Sequence, residues 1–462
     1  MSRRTPGPAM GALALTGLTL SVAYVRARRR AGRAAPATPR ADPDAARLVR
    51  ERLDESVAGL RRRHPERSAA TTFSASQKWG LRMAGVALVA AAFVDVQVTA
   101  VALTAVATTV YGATLTYRLL LLRHSLREPS VTQVTDDDAR AVPDHALPPY
   151  TVLVPAYREP EVIGNLLASL RVLEYPRDRL DVKLLLEADD DLTLGALDEA
   201  ALDPWVEVVR VPVAEPRTKP KACNFGLTLA RGDLVTIYDA EDRPEPLQLR
   251  RAAVAFGRLG PRVACLQAKL SYYNPGQNLI TKWFTVEYGT WFCQLLPGLV
   301  RAGAPLPLGG TSNHFRREVL AAVGAWDPYN VTEDADLGLR IHREGYKVGL
   351  LDSTTYEEAN SDFVNWMKQR SRWYKGYLQT WLVHLRRPRQ LWRDLGPSGF
   401  FGLNLFVGGT PLLALVNPVF WTIALLWFIG RPSFIVALFP GPVYYVGLAS
   451  FLIGNFTMLY VN

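Results

Sequence analysis

Residues 234–242 read Leu-Val-Thr-Ile-Tyr-Asp-Ala-Glu-Asp, an apolar run of five residues that ends in three carboxylates. The apolar run predicts a short buried strand. Asp239 and Glu241 stand two residues apart at the end of that strand, so both carboxylates can reach one hard cation. Such a cation, Mg²⁺ or Mn²⁺, would also bind diphosphate oxygens. An acidic pair at a strand end is equally typical of a solvated turn, and these nine residues leave both interpretations open.

Strands and helices alternate around this stretch. Parallel α/β sheets have this alternation, and they bind ligands beyond the carboxyl ends of their strands. A second acidic cluster, at residues 187–191, follows another predicted strand and is expected at the same edge of the sheet. The predicted strands are Tyr150–Val154, Asp181–Leu186 and Trp205–Val211, and the predicted helices are Glu161–Leu173 and Lys221–Ala230.

Apolar segments flank this α/β region. Residues 80–122 contain two apolar runs separated by Val94-Asp95-Val96-Gln97, which predicts a transmembrane helical hairpin. Arg118 and Arg123 mark its second exit as cytoplasmic. Residues 408–462 predict further transmembrane helices. Residues 1–79, rich in Arg, Ala and Pro, are expected to be largely disordered, with a weak apolar segment at 10–25.

Composition excludes some classes of function. The net charge of +10 is concentrated near the N-terminus and beside the apolar segments, a pattern typical of contact with anionic lipid. The sequence has no zinc-finger spacing and no basic heptad region, so nucleic acid is not an expected partner. Three cysteines without paired spacing argue against a disulfide framework and fit a reducing compartment.

Two further motifs carry candidate chemistry. Thr332-Glu333-Asp334 opens a helical pattern, where a capping threonine and first-turn acids have a structural explanation. The functional interpretation makes Asp334 a general base facing an acceptor hydroxyl. The aromatic and basic stretch 363–385 predicts an interfacial helix. Composition does not explain the order Gln-x-x-Arg-Trp at residues 369–373 within that stretch.

Together, the order and spacing of these motifs resemble the processive branch of the family 2 glycosyltransferases, over about residues 80–460. That group includes cellulose, chitin, hyaluronan and poly-N-acetylglucosamine synthases, and the chain looks closest to bacterial cellulose-synthase-like membrane enzymes. The resemblance implies a GT-A type domain, with a Rossmann-like and mostly parallel sheet, at residues 123–362. Amphipathic interface helices would follow at 363–407, and transmembrane helices would flank the whole. It also implies a multi-pass protein of the plasma membrane with a cytoplasmic catalytic domain.

The resemblance assigns roles residue by residue. Catalysis falls to Thr332, Glu333 and Asp334, with Asp334 as the base. Asp239 and Glu241 would hold Mg²⁺ or Mn²⁺; the motif here is Asp-Ala-Glu-Asp rather than the commoner Asp-x-Asp, so Asp242 could share that role. The expected nucleotide-sugar contacts are Tyr157, Glu159, Asp189, Asp190, Lys221 and Asp239. The expected acceptor and diphosphate contacts are Gly310, Thr311, His314, Gln369, Arg372 and Trp373.

The implied activity is inverting transfer of a hexose or N-acetylhexosamine from a nucleotide sugar, with UDP as the expected nucleotide, to a growing β-linked polysaccharide. Expected partners are the nucleotide sugar, a polysaccharide or glycolipid acceptor, membrane lipid and export subunits. One alternative is transfer of a single sugar to a polyprenyl phosphate or lipid; the Gln-x-x-Arg-Trp order favours the polysaccharide. A second alternative is an inactive membrane scaffold for polysaccharide export, against which the intact carboxylate set argues.

Overall fold

The computed structural model describes residues 43–127, 130–199 and 202–461. The predicted apolar segment at 10–25 lies outside the described residues. The N-terminal elements are α1 (Pro43–Arg63), α2 (Ala75–Val94), α3 (Val96–Ser125), β1 (Val131–Thr132), α4 (Asp136–Ala141), β2 (Tyr150–Ala156), α5 (Ile163–Arg171), β3 (Leu180–Glu187), α6 (Asp191–Glu199), β4 (Val206–Val211), α7 (Lys219–Leu227) and β5 (Leu234–Ile237). The next are β6 (Arg243–Pro244), α8 (Gln248–Leu259), β7 (Val263–Tyr272), α9 (Leu279–Thr290), α10 (Leu296–Arg301), β8 (Asn313–Arg316), α11 (Arg317–Ala322), α12 (Glu333–Arg343) and β9 (Lys347–Glu357). The C-terminal helices are α13 (Phe363–His384), α14 (Pro388–Gly402), α15 (Gly409–Gly430), α16 (Ser433–Leu438) and α17 (Gly441–Val461).

The described strands form one mixed, mostly parallel sheet in the order β1-β9-β7-β8-β5-β2-β3-β4, with β6 paired to β9. Strand β2 pairs in parallel with both β3 and β5, aligning Tyr150 with Leu180 on one side and Leu234 on the other. Strand β8 runs antiparallel to β5 and β7. The carboxyl ends of β2, β3 and β5 therefore meet at one edge, where the acidic clusters follow β3 and β5.

Two apolar cores lie on opposite faces of this sheet. Leu153 belongs to one core, whereas its neighbours Val152 and Val154 belong to the other, as the alternation of side chains along a strand requires. Both faces are covered, so β2, β3 and β5 read as nearly continuous apolar runs. The first core also includes Leu121 of α3 and Phe406, which precedes α15. The α/β domain and the apolar helices thus share one core.

Two helical segments of the described chain are long and apolar enough to cross a membrane, Val96–Ser125 and the continuous stretch Pro388–Gly430. The predicted break at 94–97 is a tight turn, where the Asp95 carboxylate accepts a 2.9 Å hydrogen bond from the Val98 N–H and caps α3. The predicted C-terminal span after residue 433 is divided into α16 and α17.

The chain divides at Glu51 into a short N-terminal unit and a large unit that begins at Arg52. In the N-terminal unit, Arg47 and Glu51 form a 2.8 Å ion pair one helical turn apart. In the large unit, residues 52–73 pack onto the α/β domain, within the region 1–79 that the sequence predicted to be largely disordered. Their anchor is Asp327, whose carboxylate accepts hydrogen bonds from the Ala69 N–H and the Ser68 hydroxyl. No local sequence pattern reveals such a distant partner.

Candidate active site

Lys219 joins three predicted parts of the site. It lies in the first turn of α7, and its amine pairs with the Asp239 carboxylate just beyond β5. The same amine donates a 2.8 Å hydrogen bond to the carbonyl oxygen of Gly310, in the loop before β8. The helix start, the metal motif and the acceptor loop therefore converge on one cation.

Lys221, which the sequence placed beside the phosphates, lies elsewhere. Its side chain is fully buried, and its amine is 2.7 Å from the Glu187 carboxylate. It also donates to the carbonyl oxygens of Pro212 and Ala214. Residues two apart on a helix point about 200° apart, so only one of the two lysines can face the cleft. The sequence Lys219-Pro220-Lys221 does not by itself show which of the two lysines faces the cleft.

Asp334 lies in the first turn of α12, facing the acceptor loop. One of its oxygens accepts a 2.8 Å hydrogen bond from the Ala335 N–H. The other faces Gly310, where an added Cβ would lie 3.6 Å away, in ordinary contact. Burial raises the pKa of Asp334 to about 6. Burial, followed by the charge of Asp334, raises the pKa of Glu333 to about 8. This pairing gives one carboxylate that is a base at neutral pH and one that stays largely protonated.

Thr332 precedes α12 but makes no side-chain capping bond. Its N–H donates to the Asn330 side chain at 3.1 Å, and Asn330 in turn accepts and donates hydrogen bonds with Thr380 of α13. The Thr332 side chain lies against Gly376 of α13, where an added Cβ would come within 2.4 Å of it. Thr332 therefore positions the catalytic turn against α13.

The carboxylates that follow β5 outnumber the one lysine, Lys219, that pairs with them in the described structure. Burial, followed by the charge of Asp239, raises the pKa of Asp242 to about 8. Asp242 anchors the motif by accepting from the Asp239 N–H at 2.8 Å and from the Thr311 hydroxyl. Its other oxygen is buried without a partner among the described residues, as is Oε1 of Glu357. Desolvation, followed by the charge of Asp239, raises the pKa of Glu241.

These features fit a divalent cation. Carboxylates without a counter-charge and buried oxygens without a hydrogen-bond donor are suited to bind a cation. No group of three or more His, Cys, Asp or Glu side chains in the described chain forms a closed cage. Mg²⁺ commonly takes only one or two carboxylates together with substrate phosphates, so an open set such as Asp239 and Glu241 suits it.

The predicted nucleotide contacts divide into two kinds. Asp190 is buried, and it accepts from the Arg158 N–H at 2.6 Å and the Thr193 hydroxyl at 2.8 Å. Arg158 has a left-handed φ of 58°, so Asp190 holds a strained turn in place. Asp189 is exposed and accepts from Arg217 at 2.7 Å, beside the exposed Tyr157. Asp189 and Tyr157 are thus free to meet a ligand, whereas Asp190 supports the turn that leads to Glu159.

Gln369, Arg372 and Trp373 lie three and four residues apart and share one side of α13, but they meet different surroundings. Gln369 and Arg372 line a surface cavity of about 800 Å³. Trp373 packs against the aromatic cluster of Phe284 and Tyr288. Arg370, between them, stacks 4.7 Å from the centre of the Trp373 ring. Trp373 therefore belongs to an aromatic wall with Phe284 and Tyr288, whereas Gln369 and Arg372 line the cavity.

His314, predicted to contact the acceptor, lies inside the sheet. It is fully buried on β8, and its Nδ1 is 2.7 Å from the Tyr150 hydroxyl. Burial lowers the pKa of His314 to about 3, so the ring is neutral. The structure brings together Asp239, Asp334, Gly310 and, as an unpredicted member, Lys219, but it does not bring His314 or Lys221 to them.

Comparison with known proteins agrees with this geometry. Residues 234–452 match the family model described as glycosyl transferase family group 2. A beta-monoglucosyldiacylglycerol synthase of Synechocystis is 30% identical over 54% of this chain and 51% of that protein. A probable glucomannan 4-beta-mannosyltransferase of Arabidopsis thaliana is 27% identical over 53% of this chain and 45% of that protein. The chain thus spans about half the length of the curated relatives it matches.

A solved structure shows the fold. The mannosyltransferase PcManGT from Pyrobaculum calidifontis, in complex with GDP-Man and Mn²⁺, matches with a TM-score of 0.51 and 21% identity. The match covers 77% of this chain and 98% of that one. The predicted GT-A type α/β fold is confirmed, and residues 234–452 resemble glycosyltransferases. The narrower assignment to processive, cellulose-synthase-like enzymes stays a prediction.

Proposed function

We propose that this chain, whose residues 234–452 match the family model described as glycosyl transferase family group 2, transfers a hexose or N-acetylhexosamine from a nucleotide sugar to an acceptor hydroxyl and inverts the anomeric carbon. The observation that carries this proposal is the position of Asp334, whose carboxylate faces Gly310 in the loop held by Lys219. A base with a pKa of about 6 is ionised at neutral pH and can accept a proton.

The reaction is a single displacement. Asp334 takes the proton of the acceptor hydroxyl as its oxygen attacks the anomeric carbon, and the bond from that carbon to the diphosphate breaks. Lys219 stabilises the charge that develops on the leaving diphosphate. A divalent cation bound by Asp239 and Glu241 would neutralise the same charge. Glu333, largely protonated near pH 7, adds little repulsion to the anion that departs beside it.

The acceptor we favour is a growing β-linked polysaccharide, and the donor a UDP-sugar. Support comes from the wall formed by Trp373 and its aromatic neighbours, because flat apolar rings suit the faces of sugar rings. The cavity at Gln369 and Arg372, on the same helix, offers polar contacts. The likeness to a glucomannan mannosyltransferase is in keeping with this choice.

The second candidate is transfer of one sugar to a membrane lipid. The likeness to a glucosyldiacylglycerol synthase supports it. The shared core also supports it, because Leu121 and Phe406 of the apolar helical segments are buried against the α/β domain. A site built on membrane helices can receive an acceptor from the bilayer without releasing it to water.

Either acceptor requires the same placement in the cell. We propose that α3 and the stretch 388–430 cross the plasma membrane, that α2 and α17 accompany them in a multi-pass bundle, and that the catalytic domain is cytoplasmic. Arg123, in the last turn of α3, supports this orientation by the positive-inside rule.

The test is release of UDP or GDP by detergent-purified protein supplied with single nucleotide sugars and Mn²⁺ or Mg²⁺, followed by sizing of the product. A long glycosidase-sensitive product from one donor would support the polysaccharide, and a product with one added sugar on a supplied lipid would support the second candidate. EDTA should stop release, and added Mn²⁺ or Mg²⁺ should restore it. Release that continues undiminished in EDTA would contradict the metal assignment, and no release with any donor would contradict the activity.

A further inference from the structure

An arginine with no acidic partner stands where α3 leaves its apolar stretch. Arg118 lies one turn before Leu121, and Leu121 is fully buried in the catalytic core. Its one described hydrogen bond goes to a neutral group, the Thr410 hydroxyl of α15, at 3.0 Å. Its Nε is shielded from solvent and has no partner among the described residues. On the membrane placement proposed above, this guanidinium lies at the level of the lipid headgroups.

The neighbours of Arg118 do not neutralise it. Glu287 is an acid within electrostatic reach of Arg118, and both of its oxygens already accept from the Arg370 guanidinium. The phenols of Tyr111, Tyr374 and Tyr377 are also within that reach. Arg118 is therefore a half-buried cation whose charge no unengaged carboxylate in this set balances. A guanidinium only donates hydrogen bonds, and a phenol oxygen is a weaker acceptor for it than an anion, so an anionic acceptor suits this position.

The same face of α3 carries further unpartnered donors. The Tyr117 hydroxyl and the Thr114 hydroxyl are buried without partners in the described chain. Thr114 lies against Gly409, and the Tyr117 hydroxyl lies against Gly402. Arg118 therefore heads a polar strip between α3 and the C-terminal helices, in a part of the molecule that is otherwise apolar.

Tyr377 connects this strip to the catalytic base. Its phenol interacts electrostatically with both Arg118 and Asp334. It also lies on α13, one turn beyond the acceptor wall at Trp373. A headgroup held at Arg118 would thus lie beside the route by which a membrane acceptor reaches Asp334.

We propose that Arg118 binds the phosphate of a membrane lipid, with Thr410 orienting the guanidinium and the phenols of Tyr374 and Tyr377 completing the site. Guanidinium and phosphate form paired, charge-assisted hydrogen bonds, and the headgroup layer supplies phosphate at this depth. The inference rests on the proposed membrane placement but not on the identity of the transferred sugar. Two sources share the chemistry, a polyprenyl phosphate that serves as acceptor and a phospholipid that does not.

The experiment measures lipid binding to the full chain, without donor, by native mass spectrometry in detergent. The probes are polyprenyl phosphate, phosphatidylglycerol and, as the phosphate-free control, diacylglycerol. We expect both phosphate lipids to bind at least about tenfold more tightly than diacylglycerol, and Arg118→Gln to remove this preference. Arg123→Gln, at the exposed end of the same helix, should keep it.

Arg118→Lys tests charge separately from folding. It retains the cation, so it should preserve part of the preference even if Arg118→Gln proves unstable, and thermal unfolding of each variant shows which ones fold.

Sugar transferred to polyprenyl phosphate once donor is added would identify the acceptor as the source of the phosphate. Equal binding of phosphatidylglycerol without transfer would identify bulk phospholipid. Diacylglycerol binding as tightly as the phosphate lipids, or unchanged preference in a folded Arg118→Gln protein, would overturn the proposal. The binding measurements require no glycosyltransferase activity, so loss of activity alone leaves the inference standing, and only the choice between the two sources of phosphate uses the transfer assay.

Discussion

Lys219 and Lys221 stand two residues apart on α7 and meet different partners. Lys219 reaches Asp239 and the Gly310 carbonyl in the cleft, whereas Lys221 is buried against Glu187. The first is placed to act on a leaving diphosphate, and the second holds α7 to the end of β3. Their matched substitutions therefore separate function from stability.

We expect Lys219→Gln to lower kcat by about a hundredfold, as loss of one charge-stabilising group commonly does, with little change in the melting temperature. Lys221→Gln leaves a buried carboxylate unpaired, so it should destabilise the fold by about 3–5 kcal/mol. Steady-state kinetics and thermal unfolding of the two proteins check this. Equal loss of stability in both, or full activity of Lys219→Gln, would contradict the assignment.

The raised pKa values of Glu333 and Asp334 predict how the stability of the fold depends on pH. Burial raises the pKa of both carboxylates in the folded protein above their unfolded values, so folding binds protons there and the two groups favour the folded state most at low pH. That contribution falls as the pH rises from about 4 to about 8. Glu333→Gln removes one of the two acids, so we expect it to raise the melting temperature more at pH 8 than at pH 5. A gain that is larger at pH 5, or no gain at either pH, would contradict the raised pKa.

At the scale of elements, α13 and α12 are held together beside the base. Asp336 of α12 accepts from Arg340 at 2.7 Å and pairs with His384 of α13 at 2.8 Å, and all three side chains are fully buried. Arg340 also donates to the carbonyl oxygens of Val323 and Ala325. The turn that carries Asp334 is therefore fixed to the helix that carries the acceptor wall.

Gly376 marks the close contact between these two elements. An added Cβ would lie 2.4 Å from the Thr332 side chain, so Gly376→Ala should push α13 away from the catalytic turn. We expect about a tenfold or greater loss of kcat, since misplacement by about 1 Å can cost far more than that. Gly257→Ala is the matched control, because it also lies inside a helix and meets nothing within 4 Å. That change should be neutral or slightly stabilising. Similar kinetics for both variants would mean that this contact does not position the base.

Some strands of the sheet could be predicted from the sequence, and others could not. The sequence predicted β2, β3, β4 and β5. Strands β2 and β5 are buried on both faces and read as nearly continuous hydrophobic segments, whereas β4 exposes Glu207 and Arg210 and is recognised by its valines. Strand β8 was not predicted, since Asn313-His314-Phe315-Arg316 is short and polar and is a strand only because β5 and β7 flank it. The same burial turned His314 from an expected acceptor contact into a neutral core residue.

At the scale of the whole molecule, the site was partly predictable. Asp239 and Asp334 were expected to act together, and the fold brings both toward Lys219 and the acceptor loop. What the sequence could not show is which side chains are already engaged: Asp190 supports the Arg158 turn, and Lys221 neutralises Glu187. These pairings join residues about 30 positions apart in the chain, so the spacing of residues within one motif cannot predict them.

The apolar helices and the α/β domain of the large unit share a core that contains Leu121 and Phe406. Tyr377 interacts electrostatically with both Arg118 and Asp334. The central claim is that Asp334 is the base of an inverting transfer at this cleft.

The most direct test is Asp334→Asn, assayed for sugar transfer and, in parallel, for UDP binding by calorimetry with Mn²⁺. The account predicts a loss of transfer of about a thousandfold or more, while the affinity for UDP changes less than about threefold, because asparagine fills the same space without accepting the proton. Transfer that persists at near the parent rate would contradict Asp334 as the base, and a parallel collapse of UDP binding would show that the residue supports the structure of the site.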